Sequence, residues 1–299
     1  MEPPRHYLLP LFAAFVGVGI LALMDAQMKS ASLATGVFTA SLLRSALAAC
    51  LIGPVWLARK KAWPQRPVMR LHVERGVISA LMALTFFYAL TKLPLAEAIA
   101  ISFIAPLVAL YFAHIFLGEQ IRRRAIGASV LGLVGTLVII SARLGQVEAE
   151  EGVLLGLASL FVSAMLYAYN FVVIRKQSQV ADPVEVATFH SGVGALVHLI
   201  AAPFLFVLPG AGAMITIAGA AILTVAGSIA IAWAYARAEA QVLVPMEYSG
   251  FLWASLFGWL FFREAVTMPT FIGAALIVLA CWIAAPRAKR GGNTEVSSV

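Results

Sequence analysis

A few ionisable side chains in this sequence sit inside long apolar runs, where they must find partners or do chemistry. Asp25 and Lys29 lie four apart on the first run. Acid preceding base at that spacing is the favourable helical ion pair. The pair reads either as a salt bridge at a gate or helix interface, or as a contact for a solute. Arg44 falls near the middle of the next run. A charge there costs about 2.5–3.5 kcal/mol on insertion scales, so it must face protein or a wet cavity. It either pairs structurally with carbonyls or a carboxylate, or contacts an anion in a pathway. No partner stands at its depth, because Asp25 is expected roughly 10 Å or more nearer the exterior at about 1.5 Å per residue. Glu247, beside Tyr248, is a second intramembrane carboxylate. It is suited to bind an amine or carry a proton, or else to end a helix as a paired residue. Pro106, in the middle of an apolar run, leaves a backbone carbonyl unpaired and lets the helix bend.

These residues belong to a chain that water cannot fold. It is 62% hydrophobic and 12% charged over 299 residues, against about 45–50% and 25% for soluble domains. A helix crossing the bilayer needs about 20 apolar residues. Ten such segments are predicted: Tyr7–Met28, Leu33–Leu57, Leu71–Leu90, Leu95–Leu117 and Arg124–Ser141, then Gly152–Ile174, Pro183–Leu208, Ala213–Ala236, Val242–Phe262 and Thr267–Ala285. None alternates with period two, which excludes the strands of a barrel. Cys50 and Cys281 fall inside runs and read as small buried hydrophobes.

The formal charge of +7 points to topology rather than to nucleic acid. The cations gather at Arg59–Arg70, Arg122–Arg124, Arg175–Lys176 and Arg287–Arg290, all on one side of a ten-span chain. The other side holds Lys29, Lys92, Arg143 and Arg263, and Arg44 and Arg75 lie within spans. The positive-inside rule therefore sets both termini in the cytoplasm. No basic face with interleaved aromatics lies outside the apolar runs, so a nucleic-acid partner is excluded.

The two halves repeat. Tyr88–Ala89, Glu119 and Gly127–Ala128 recur in the same order as Tyr235–Ala236, Glu264 and Gly273–Ala274. Five spans per half is an odd number, so the second half is expected upside down relative to the first. That plan is common among secondary transporters, with substrate held between the halves at mid-membrane. The fold expected is all-α and integral to the membrane: ten transmembrane helices as two inverted five-helix repeats around a central cavity. The boundaries are 1–142 and 152–286, with a disordered cytoplasmic tail over 287–299.

LeuMetAspAlaGlnMetLys at 23–29, Arg44, LeuProLeuAlaGluAla at 93–98, Ala105–Pro106, LeuGlyGlu at 117–119 and ProMetGluTyrSer at 245–249 together resemble the drug/metabolite transporter superfamily. The likeness is to its ten-helix members with a double EamA repeat, and within these to YddG-like amino-acid exporters. The fourth span's Ala–Pro has no proline counterpart near Phe251. The resemblance implies alternating access by a monomeric unit in the inner membrane, around a cavity lined by the first, third, fourth, sixth, eighth and ninth helices. Tyr88, Tyr167, Trp233, Tyr248 and Trp253 fall on those helices. They can stack on a solute and still donate a hydrogen bond, or they pack the core or the interfacial belt. Asn170 can bond a solute or another helix. With Glu247 these are the cavity candidates; Asp25, Lys29, Arg44 and Pro106 are the gating or structural set.

The expected function is export of amino acids or related small metabolites. A riboflavin- or S-adenosylmethionine-type carrier is the alternative. An intramembrane enzyme lacks its nucleophile–base pair, since Asp25 is the only aspartate within a span and Ser249 has no preceding glycine. No GxxxxGK[ST] or HExxH motif occurs. No metal or cofactor is expected, and the partners are the solute and the bilayer.

Overall fold

The computed structural model describes residues 8–59, 62–117, 123–144, 152–177, 179–235, 237, 246 and 248–284. Its helices are α1 (Leu8–Thr35), α2 (Val37–Ala58), α3 (Arg66–Lys92), α4 (Leu95–Ser102), α5 (Ala105–Leu117), α6 (Arg123–Leu144), α7 (Val153–Gln177), α8 (Pro183–Leu205), α9 (Ala211–Tyr235), α10 (Ser249–Phe262) and α11 (Met268–Ala284). Among the described residues seven helices are long and apolar enough to cross a membrane, one of them α4 and α5 taken together, and shorter apolar helices complete the set. The molecule is an all-α membrane protein with ten helices among the described residues, α4 and α5 counted as one. We call the side where α1 begins the near face and the side where it ends the far face.

Three expectations change. The first helix runs on to Thr35 rather than ending at Met28, because nothing from Lys29 to Thr35 breaks it and Gly36, at φ 82°, supplies the turn. Asp25 therefore lies about 15 Å inside the helix end, at about 1.5 Å per residue, not near the exterior. The fourth span is two helices rather than one bent helix. Phe103 and Ile104 form a turn, their amides reaching the carbonyls of Ala100 and Ile101 at 3.3 and 3.1 Å. The break falls where Pro106 would have had to bond the carbonyl of Ser102, and Pro106 instead sits as the second residue of α5, where its missing N–H costs nothing. Cys50 is exposed on the outer surface of α2 rather than buried.

Helices of one half pack mainly on helices of the other: α1 on α9 and α10, α7 on α3 and on α5, α2 on α8, α6 on α11, and α4 on α10. The core consists largely of alanines with Met28, Leu90, Leu95, Leu160 and Ile277. Small residues are what let helices approach in lipid. At the α6–α11 crossing a Cβ on Gly135 would lie 2.7 Å from the carbonyl oxygen of Gly273, and one on Gly273 would lie 2.5 Å from that of Gly135. Gly135→Ala or Gly273→Ala is thus expected to lower stability by about 1–3 kcal/mol through forced backbone separation. Gly53→Ala, whose Cβ would meet nothing within 4 Å, is expected to leave it unchanged or slightly raised. Thermal unfolding in detergent measures all three.

Candidate functional site

At the far face Lys29 is buried, and an ammonium there must have acceptors. It does not pair with Asp25. Its Nζ donates to the carbonyl of Leu93 at 2.7 Å and to Oε1 of Glu264, and the Phe262 ring lies 4.9 Å away. The other oxygen of Glu264 accepts the backbone N–H of Leu95 at 2.7 Å, one of the unsatisfied donors at the start of α4. Arg263, in the left-handed region at φ 57°, turns the chain so that Glu264 points back over α10. One carboxylate thereby ties the end of α1, the start of α4 and the end of α10. Beside it Glu97, buried in the first turn of α4, accepts from Thr270 of α11 at 3.3 Å.

Arg44 is buried in the bundle, 9% exposed. One guanidinium N–H reaches Thr224 of α9 at 3.4 Å, and the Phe87 ring lies 5.5 Å off. The Thr224 hydroxyl itself donates to Ala220, which leaves its oxygen free to accept. Asp25 and Arg44 act on one another electrostatically without a direct ion pair. The longer first helix explains why the two share a depth that the sequence reading kept apart.

Aromatic rings line the middle of the bundle. Trp253 stacks on Phe257 at 5.8 Å and tilts against Phe15 at 5.1 Å. Gly19 makes room for it, since a Cβ there would lie 2.8 Å from the indole. Phe103, in the break of the fourth span, meets Tyr248 edge-on at 5.4 Å. Among the buried polar atoms without a hydrogen bond are Nε1 of Trp253, Oδ1 of Asn170 and Oε1 of Gln27. Tyr88 is half-buried on α3, and Tyr167 is half-buried against α5. Trp233 lies toward the near face, with the Arg237 guanidinium 4.1 Å above its ring. Glu247 lies outside the described residues, as does Glu119.

A second polar set at the near face was not read from the sequence. Arg75 can only donate, so the residue facing it at 2.6 Å must be Oε1 of Gln177. The Gln177 amide nitrogen then meets Nδ1 of His72 at 2.6 Å, which must accept. The His72 proton is left on Nε2, donating to Glu185 at 2.9 Å. Tyr169 donates to Glu74 at 2.6 Å nearby. The signal was present, in a histidine and an arginine one turn apart on α3 with a carboxylate opening α8. It was hidden because the third helix was begun at Leu71, which made His72 a terminal residue. No group of three His, Cys, Asp or Glu side chains that could hold a metal occurs among the described residues.

A helical membrane bundle with a broken helix, unpartnered polar atoms in its interior and a polar tie at one face suits a carrier of small molecules. Residues 8–141 and 154–285 each match the EamA-like transporter family, and the chain belongs to it. It is 29% identical to the pseudopaline exporter CntI of Pseudomonas aeruginosa over 291 residues, 95% of this chain and 96% of that one. It is 26% identical to a riboflavin transporter of Rhizobium johnstonii over 70% of its length and 68% of the relative's. The likeness to the aromatic amino acid exporter YddG of Ancylobacter novellus, 29% identical, covers 42% of this chain and 45% of the relative. The expected nearness to YddG gives way to a likeness to the pseudopaline exporter that spans the chain. A solved crystal structure, 22% identical, shares the fold with a TM-score of 0.61 over 95% of this chain and 97% of that one.

Glu264→Ala strands the Lys29 ammonium and the Leu95 amide. It is expected to cost about 3–5 kcal/mol, whereas Lys29→Met with Glu264→Gln, which removes both charges and keeps an acceptor for Leu95, recovers most of that loss. Thermal unfolding of the single and double variants in detergent measures the difference.

Proposed function

We propose that the chain exports amino acids or related small metabolites across the cytoplasmic membrane by alternating access, as a monomeric unit with both termini inside. Two inverted five-helix halves, 1–142 and 152–286, rock about a central cavity, and the 287–299 tail stays in the cytoplasm. The far face is then the external one. The observation that carries this reading is the Glu264 tie, a closure between the halves made of a few polar bonds that can open and reform. The pairing of helices supports the inversion, because renumbering each span by its counterpart in the other half returns the same principal pairs: first with eighth becomes sixth with third, and second with seventh, fourth with ninth and fifth with tenth return themselves. In the repeat Glu119 corresponds to Glu264.

For the solute site the candidates remain Tyr88, Tyr167, Asn170, Trp233, Glu247, Tyr248 and Trp253. Trp253 and Asn170, one an unpartnered donor and the other an unpartnered acceptor, suit a small zwitterion that carries both. Pro106 and the break before it let the fourth span change its angle. The riboflavin transporters among the relatives support a second reading, a vitamin-type carrier.

Uptake into proteoliposomes tests the proposal, with radiolabelled neutral, basic, acidic and aromatic amino acids, riboflavin and S-adenosylmethionine, each with and without a proton gradient. Saturable uptake of several amino acids is expected, reduced about tenfold or more by Trp253→Ala, since stacking and one hydrogen bond are lost together. Movement of riboflavin alone would sink the amino-acid assignment and leave the carrier standing.

A further inference from the structure

Between α2, α3 and α8, at the depth of Arg44, lies a small pocket lined by Arg44, Ser45, Ser79, His190, Ser191 and His198. Its void is about 10 Å³. That is about the room one water or one atom of similar size needs. Five buried side-chain atoms of the lining residues make no hydrogen bond: Nε of Arg44, Oγ of Ser79, Nδ1 of His190 and both ring nitrogens of His198. The guanidinium can only donate, and the hydroxyl and each imidazole can supply a donor. A buried polar group left alone costs about 1–3 kcal/mol, so four such side chains around one void call for an occupant that accepts.

The field at the pocket has the same sign. Arg44 and Arg75 both act on His190. Arg75 is bonded to the neutral amide of Gln177, and its own Nε has no partner. Asp25, on α1, is the carboxylate that acts on Arg44. Arg44 makes no direct ion pair among the described residues, which leaves its buried charge incompletely answered, a costly state.

We propose that this pocket binds one monovalent anionic acceptor the size of chloride or of a single carboxylate oxygen, held by Arg44, Ser79 and His190. The acceptor completes the guanidinium's hydrogen bonds and supplies the missing negative charge. The site is separate from the aromatic centre at Trp253, and it stands or falls by binding rather than by transport. A phosphate or sulfate does not fit the void. A free halide and the carboxylate of a solute share the required chemistry.

Full-length protein in halide-free gluconate buffer, titrated with sodium chloride and separately with sodium formate and followed by thermal unfolding, tests the assignment. Chloride is expected to raise the midpoint saturably. The effect is lost in Arg44→Gln, and the half-saturating concentration rises about tenfold in Ser79→Ala, which removes one hydrogen bond to a charged group and keeps the guanidinium for folding. Arg237→Gln, whose side chain lies at the near end of α9 over Trp233, leaves the response unchanged. If formate competes with chloride, the occupant is a carboxylate; if chloride acts and formate does not, it is the free ion. No response to either anion, the same response to added gluconate, or an undiminished response in both Arg44→Gln and Ser79→Ala overturns the proposal and returns the pocket to a single water. Failed amino-acid uptake with an intact chloride response would refute the export reading alone.

Discussion

Hydrocarbon offers no hydrogen bonds, so every charge and amide placed in it must be answered from within the protein. The buried ammonium of Lys29 is where this demand is met most tightly. A carbonyl from the link between α3 and α4 and a carboxylate from beyond α10 converge on it, and that carboxylate also answers the first amide of α4. The position of α1 against α10, the start of the fourth span and the turn at Arg263 all follow from satisfying one cation. Elsewhere the core is alanine and glycine, which set distance without setting register. Polar ties therefore select among the packings that small residues permit.

The same rule applies with a different outcome at mid-membrane. Trp253, Asn170, Arg44, Ser79 and His190 retain atoms without partners, while Lys29 and Glu264 at the far face are each bonded more than once. A broken fourth span lies among them, with Phe103 and Tyr248 across the break. A carrier needs this division. Closures must be strong enough to hold and made of few bonds, while the middle must keep polarity in reserve for something that arrives from outside the chain.

Much of the architecture was legible in the sequence because lipid simplifies the problem. Apolar runs longer than a core helix, and cations that alternate across them, pointed to ten helices, the number present when α4 and α5 are counted as one. Helix ends were harder. Lys29 has the composition of a helix end, yet the helix continues to Thr35, and that difference moved Asp25 to the depth of Arg44. The Asp25–Lys29 spacing was equally misleading. Four residues is the right local distance, but a carboxylate far along the chain offered Lys29 a better position because it also capped α4. Pairing across 113 residues, as between His72 and Glu185, leaves no local periodicity to read. The repeat did mark Glu264 as a position of interest, although nothing in its neighbourhood named the partner.

The Lys29–Glu264 tie has a consequence for how the protein is made. Its two residues are 235 positions apart. A ribosome adding about 5–20 residues per second reaches Glu264 roughly 10–50 s after Lys29 has been synthesised. During that interval the first helix carries a cation whose final acceptors do not all exist. Its early residence is therefore at the membrane surface or beside the insertion machinery, with the lysine reaching toward water. The first five helices cannot settle into their final arrangement while synthesis continues, and assembly of the two halves becomes a late event timed by the arrival of the ninth span.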